Sequence, residues 1–155
     1  MSYEIPNSDS VTKLLSMILG DNLKTTEHDP AASADKYIAT FIDPEDKLVA
    51  VCASDLPFAS FSGAALAMIP PDVAKECIKD GALSDSLSDN FYEVMNICSK
   101  LMLSESSDHL RLHKAYAPAD TPDGVAQLQE AGTKCGFDID IPRYGSGSID
   151  FYIAA

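Results

Sequence analysis

The sequence predicts an α+β fold, in which a mostly antiparallel sheet of about five or six strands packs with two longer helices on one face. Segments with strand-like alternation are interspersed with segments of helical period, and turn residues separate them. The chain has 155 residues, of which 46% are hydrophobic. This length and composition suit one compact core, so we expect residues 1–155 to form a single domain.

The N-terminal part predicts a helix followed by a hairpin. Ser10 can cap a helix over residues 11–19, where apolar side chains recur at helical spacing, and Gly20 would end it. Residues 36–42 and 48–53 are rich in β-branched and aromatic side chains, and the turn-forming segment between them predicts a hairpin.

The next segment is rich in small residues, which suit a helix or a strand. Residues 58–69 follow the hairpin and precede two prolines, so we predict a third strand there. Pro71 then opens a helix that runs through Ile78 and ends at Gly81, since proline at the first helical position loses no hydrogen bond.

The C-terminal part predicts a strand, a short helix and a closing hairpin. The strand covers residues 109–117 and the helix covers 122–131. The hairpin pairs 137–141 with 149–153 around a glycine-rich turn at 144–148. Terminal strands such as 149–153 could offer a free sheet edge.

A long amphipathic helix begins at Ser84 or Ser86 and runs to about residue 103. At about 100° per residue, one face is apolar and predicts burial: Leu83, Leu87, Phe91, Val94, Cys98 and Leu101. The opposite face is polar and predicts exposure: Asp85, Asp89, Glu93, Asn96 and Lys100. A solvated helix face is one interpretation. However, Asn96 is a poor helix former without a capping position, which suggests a functional role.

The segment Asp89-Asn-Phe-Tyr-Glu93-Val-Met-Asn96 has the form Asp/Ser-x-x-x-Glu-x-x-Asn. It resembles the signature helix of the CheC, CheX and FliY group of chemotaxis phosphatases, which dephosphorylate the response regulator CheY. The order of the predicted elements is similar too, and the resemblance covers most of the chain. It implies a CheC-like fold. The single signature is most similar to CheX, which implies a homodimer.

The resemblance also implies roles for individual residues. Glu93 matches the glutamate that pairs with a basic side chain of the regulator, and Asn96 matches the asparagine that enters its active site. Asp89 and Pro118 match supporting positions. An aspartyl phosphate needs an in-line water and charge neutralisation, and a carboxamide can orient that water. The protein would need no cofactor of its own, because Mg²⁺ and the phosphorylated aspartate belong to the receiver partner.

A different function class fits the same fold, namely a non-catalytic binding or assembly module of a chemotaxis or two-component pathway. The pair formed by Glu93 and Asn96 favours the enzyme, because a scaffold does not need both groups.

The charge of the chain restricts its partners. Eleven Lys and Arg against 24 Asp and Glu give a formal net charge of −13, which disfavours binding to nucleic acid and to anionic membranes.

The longest mostly apolar run, residues 56–71, is too short and too rich in proline and glycine to span a bilayer. The N-terminus lacks the features of a secretory signal, so we expect a cytoplasmic protein. The four cysteines are irregularly spaced, which predicts small buried or half-buried thiols and no metal site.

Two further groups of polar residues have structural interpretations. His109, Arg111 and His113 alternate on one predicted strand and form a polar sheet face. Asp138, Asp140 and Asp150 alternate on predicted edge strands, where we expect solvent to surround them.

Overall fold

The structure, a computed structural model, describes residues 3–154 and confirms the α+β fold with an antiparallel sheet. Its six strands are β1 (Lys24–His28), β2 (Tyr37–Ile42), β3 (Leu48–Ser54), β4 (Arg111–Tyr116), β5 (Thr133–Ile141) and β6 (Gly145–Ile153). They lie in the order β1-β5-β6-β3-β2-β4, and every neighbouring pair is antiparallel. The helices are α1 (Ser8–Leu19), α2 (Leu56–Leu66), α3 (Pro71–Asp80), α4 (Asp85–Cys98) and α5 (Val125–Ala131).

The two faces of the sheet are covered unequally. Helices α1 to α4 pack on one face, here called the helical face, and share its large apolar core with side chains from strands β2 to β6. The other face, here called the open face, carries α5 over a small second core that contains Val51, Val125 and Tyr152. The predicted packing of the longer helices on one face is therefore confirmed, and α5 is the helix that lies opposite.

Helix α1 begins earlier than predicted, and its cap is Asn7 instead of Ser10. Asn7 Oδ1 accepts a hydrogen bond from Ser10 N at 2.8 Å, while Ser10 Oγ accepts one from Asn7 N at 3.2 Å. This reciprocal pair is a capping box, so Ser10 lies inside the first turn. The helix ends at Gly20 as predicted.

The strand predicted over residues 58–69 is wrong, because this segment forms helix α2. Asp55 caps the helix by accepting a hydrogen bond from Phe58 N at 2.8 Å, and Pro57 occupies the first turn, where it costs no hydrogen bond. Eight consecutive residues, from Phe58 to Ala65, are buried. A helix that is enclosed on all sides has no polar face, so its sequence lacks the period that would reveal it.

Strand β1 was not predicted, because its sequence Lys-Thr-Thr-Glu-His contains no apolar residue. Its side chains are exposed or half-buried, as suits a strand that closes one edge of the sheet. The hairpin of β2 and β3 is confirmed, with Tyr37 opposite Ser54. The predicted helix at Pro71 is confirmed as well, and Gly81 ends it in the left-handed conformation with a φ of 82°.

The final hairpin is confirmed, but its strands are longer than predicted and its position differs. The turn covers residues 142–144, so the glycine-rich segment lies within β6. Strand β6 pairs with β5 on one side and with β3 on the other. The prediction that residues 149–153 form a free edge is therefore wrong. The edges of the described sheet are β1 and β4.

Candidate functional site

Helix α4 carries the predicted site, and its amphipathic pattern is confirmed. Ser84 caps the helix by accepting a hydrogen bond from Leu87 N at 3.3 Å. The helix ends at Cys98 and continues as a 3-10 turn over Ser99–Met102, which together match the predicted span. The predicted apolar face is buried, apart from the half-buried Leu83: Leu87, Phe91, Val94, Cys98 and Leu101. The side chains opposite are exposed and are here called the polar stripe: Asp85, Asp89, Glu93, Asn96 and Lys100.

Glu93 and Asn96 contact each other at the centre of the polar stripe. Asn96 Nδ2 donates a hydrogen bond to Glu93 Oε1 at 3.4 Å, across one turn of the helix. In the described part of the chain, Asn96 Oδ1 has no protein partner. The carboxamide oxygen is therefore free to accept a hydrogen bond from a water molecule or a partner, while the amide nitrogen is held by the neighbouring carboxylate.

The helix beneath this pair is firmly anchored. Asn90 Nδ2 donates to Gly63 O of α2 at 2.9 Å, which joins the two helices. On the sheet side, the rings of Phe91 and Tyr37 meet edge to face with centroids 6.2 Å apart. Because both contacts lie within two turns of Glu93, the polar stripe stands on a rigid element, as precise positioning of a reacting group requires.

A cavity of about 260 Å³ that was not predicted from the sequence lies beside the polar stripe. It lies between the first half of α4 and the end of the edge strand β4: its lining includes Leu83, Asp89, Tyr92, Ala115 and Ala117. Tyr92 is 41% exposed, and it precedes Asn96 by one helical turn. The cavity thus adds an apolar contact surface next to the polar pair.

The structure brings together only some of the predicted site residues. Asp89 lines the cavity, and Ala117, which precedes Pro118, lines it from the opposite side. Pro118 is half-buried and begins a 3-10 helix, Pro118–Asp120. Glu93 and Asn96 lie further along α4 and do not line the cavity. The site is therefore a helix surface with an adjoining pocket, and no deep cleft encloses it.

The cysteines offer no nucleophile to this site. Cys98 lies on the buried face of α4, and desolvation raises the pKa of its thiol to about 12. Burial likewise raises the pKa of Cys52 well above its usual value. Both groups stay protonated near neutral pH and are unreactive as thiols. The prediction of buried or half-buried cysteines is confirmed, since Cys77 is buried and Cys135 is half-buried.

Two predictions about other polar residues need correction. His109 lies before β4, so it does not share a strand face with His113. Asp150 is not solvated, because it is only 1% exposed and contacts His28, which was not among the predicted site residues. The pattern of alternation placed Asp150 on the correct face but gave no sign of what covers it.

Residues 3–154 contain neither a cluster of potential metal ligands nor a helix that could span a membrane. That part of the chain holds no group of three or more His, Cys, Asp or Glu side chains arranged to bind a metal ion. None of its helices combines the length and the apolar character needed to cross a bilayer.

Comparison with known proteins identifies the fold. No protein-family model and no curated protein sequence matches the chain significantly. Among solved structures, the FliM middle domain from H. pylori is similar, with a TM-score of 0.62 and 12% identity over 95% of this chain and 84% of that one. A chain of the FliM-SpeE complex from H. pylori gives a TM-score of 0.63 and 11% identity, over 95% of this chain and 81% of that one.

A CheX structure is also among the similar ones. It comes from the CheX-CheY-BeF3-Mg+2 complex of Borrelia burgdorferi, with a TM-score of 0.47 and 9% identity over 95% of this chain and 94% of that one. The FliM structures show that this chain has the fold that the resemblance implied. At these identities the likeness concerns the fold alone.

Proposed function

We propose that this protein is a CheC/CheX-like phosphatase that hydrolyses the aspartyl phosphate of a CheY-type receiver domain. The observation that carries the proposal is the contact between Glu93 and Asn96 on the exposed side of α4, with Asn96 Oδ1 left free. A protruding helix surface suits a macromolecular substrate, because it can enter a partner's active site instead of enclosing a small molecule.

The reaction needs little from the phosphatase. Water attacks the phosphorus in line and the bond between phosphorus and the aspartate oxygen breaks. Inorganic phosphate leaves with the oxygen and the protons of the water, and the aspartate stays on the receiver as a free carboxylate. Asn96 Oδ1 would accept a hydrogen bond from the attacking water and hold it on the line of attack. The receiver would contribute its Mg²⁺, which would neutralise charge on the phosphoryl oxygens, and this chain would then need no cofactor of its own.

The neighbouring residues would dock the receiver. Glu93 is exposed and free to turn from Asn96 to a basic side chain of the receiver, which would fix the register of the two proteins. Asp89 and the exposed ring of Tyr92 flank the adjoining cavity, and Pro118 would help to fix the chain that forms its far wall. This arrangement separates the docking contacts from the single group that acts on water.

The decisive experiment measures how long a phosphorylated CheY-type receiver survives at fixed Mg²⁺, with and without this protein. We expect the protein to shorten the lifetime of the phosphorylated receiver. The Asn96→Ala variant should accelerate hydrolysis about 100-fold less than the native chain does, since a positioned catalytic group contributes about that much to the rate. Ser86→Ala, an exposed change on the same helix, is the matched control and should keep full activity. If Asn96→Ala accelerates hydrolysis as well as the native chain does, the proposed mechanism is wrong.

The second candidate function is a non-catalytic binding module, and the similar FliM structures fit it as well. The similar FliM structures include complexes with SpeE and with FliG, so domains of this fold take part in protein assemblies. In that case this chain would bind the receiver, or a second copy of itself, without changing the lifetime of the phosphoryl group.

Homodimerisation also remains a proposal, and sedimentation of the full chain at several concentrations tests it. Cytoplasmic location is part of the proposal, because the receiver partner would be found there.

A further inference from the structure

The cavity beside the polar stripe has the size and the lining of a site for a single side chain. Its volume of about 260 Å³ is smaller than the roughly 300–1,000 Å³ of pockets that hold whole small molecules. Most of its lining is apolar or aromatic, including Tyr37, Leu83, Phe91, Tyr92, Ala115 and Ala117. A partner protein could therefore insert one residue here, whereas a cofactor or a metabolite would not be enclosed.

The charge around the cavity is negative. Among the described residues, Asp89 is the only charged one in the lining. Its carboxylate has no hydrogen-bond or ion-pair partner within residues 3–154. Asp85 and Glu93 are exposed one turn before and one turn after it on α4, and they add to the negative potential. A side chain with a positive charge is therefore the favoured occupant.

The chain does not supply this cation itself, within the residues that the structure describes. Lys114 precedes Ala115 of the cavity wall, but it does not line the cavity. Its Nζ lies 5.9 Å from the centroid of the Tyr116 ring, which places the ammonium group against that ring. The positive charge has to come from another molecule.

The residues of the cavity suit a guanidinium group better than an ammonium group. Asp89 and Tyr92 are three residues apart on α4, so they face the same side of the helix. A guanidinium group is planar, stacks on aromatic rings and donates two parallel hydrogen bonds to a carboxylate. The ammonium group of lysine is compact and more strongly hydrated, so it loses more on leaving water.

We propose that this cavity accepts an arginine side chain of a protein partner, with the guanidinium group between the carboxylate of Asp89 and the ring of Tyr92. Its methylene groups would pack on Leu83 and on the alanines of the opposite wall. Free arginine suits the cavity less than a residue within a chain, because its own carboxylate would lie beside the acidic polar stripe. The inference rests on the proposed function only for the source of the arginine, which would be the receiver.

An NMR titration of the full chain with N-acetyl-arginine methylamide tests the cavity without any receiver. We expect saturable shifts at Leu83, Tyr92 and Ala117, with the millimolar affinity usual for so small a ligand. Asp89→Asn should weaken binding about fivefold, as expected for the loss of one exposed ion pair. Asp85→Asn is the matched control, because it removes an exposed carboxylate of α4 that does not line the cavity, and it should keep the native affinity.

A neutral probe separates charge from shape. N-acetyl-citrulline methylamide has nearly the same shape as the arginine probe and no charge, and it should bind about fivefold more weakly. Equal affinity for the two probes would overturn the proposal, as would the absence of saturable shifts in the native chain. An equal loss of affinity in Asp85→Asn and Asp89→Asn would overturn it too, because the effect would be one of general charge.

The result is independent of the test of catalysis. Because no receiver is present, failure to bind the arginine probe leaves the lifetime measurement with Asn96→Ala unaffected. If the chain binds the arginine probe as expected but does not shorten the lifetime of the receiver, the proposed cavity is supported and the proposed phosphatase activity is wrong.

Discussion

Gly63 of α2 and Leu87 of α4 lie so close together that the two helices meet backbone to backbone. A Cβ on Gly63 would be 2.9 Å from Leu87 O, which is closer than side-chain carbons approach in folded proteins. Asn90, one turn beyond Leu87, donates its amide to Gly63 O. This contact determines how far α4 stands from the rest of the domain, and with it the position of the polar stripe.

We therefore expect Gly63→Ala to destabilise the protein by about 1–3 kcal/mol, because the added methyl group overpacks a contact with backbone on the other side. Urea denaturation followed by circular dichroism measures this change. Ser86→Ala, at an exposed position of α4, should change the free energy of unfolding by less than about 0.5 kcal/mol. Equal stability of both variants would mean that α4 can move away from α2 at little cost.

Glu93→Lys should weaken binding of a phosphorylated receiver by about tenfold or more, because it replaces attraction of a basic side chain by repulsion. Glu93 is exposed, so the fold and its thermal midpoint should be unaffected. Fluorescence titration with a receiver bearing a stable phosphoryl mimic measures the affinity. Glu76→Lys on α3 makes the same change of net charge at another exposed position. If both variants lose affinity equally, the effect is one of overall charge and Glu93 is not a specific contact.

Cys98 should resist alkylation in the folded protein. Because desolvation raises its pKa to about 12, its thiolate fraction at pH 8 is roughly a thousandfold below that of an ordinary cysteine. Iodoacetamide labelling followed by peptide mass spectrometry should detect modification of Cys98 in urea and not in buffer. Labelling in buffer at the rate of a free thiol would show that the C-terminal end of α4 opens readily, contrary to the anchored helix described above.

The sequence predicted helix α4 correctly and failed for helix α2 and strand β1. Helix α4 keeps an apolar face and a polar face, so its period located both the buried residues and the polar stripe. Helix α2 is enclosed, and strand β1 is exposed, so neither has a contrast between faces that a pattern could reveal.

The candidate site shows the same limit. Asp89, Glu93 and Asn96 belong to one helix, and their relative positions follow from helical geometry alone. The cavity beside them needs Ala115 and Ala117, which reach α4 only through the pairing of the edge strand β4 with β2. The contact between His28 and Asp150 spans 122 positions in the chain and depends on the strand order, which local patterns do not encode.

The central place of β6 determines when this domain can be completed during synthesis. On one side of β6 lie β1 and β5, and on the other lie β3, β2 and β4. The two halves of the sheet are joined only through β6, within residues 3–154. A nascent chain therefore cannot unite them until residues 145–153 have left the ribosome. Until then β3 and β5 each present one unpaired edge, which makes chaperone binding most useful just before synthesis of this segment is finished.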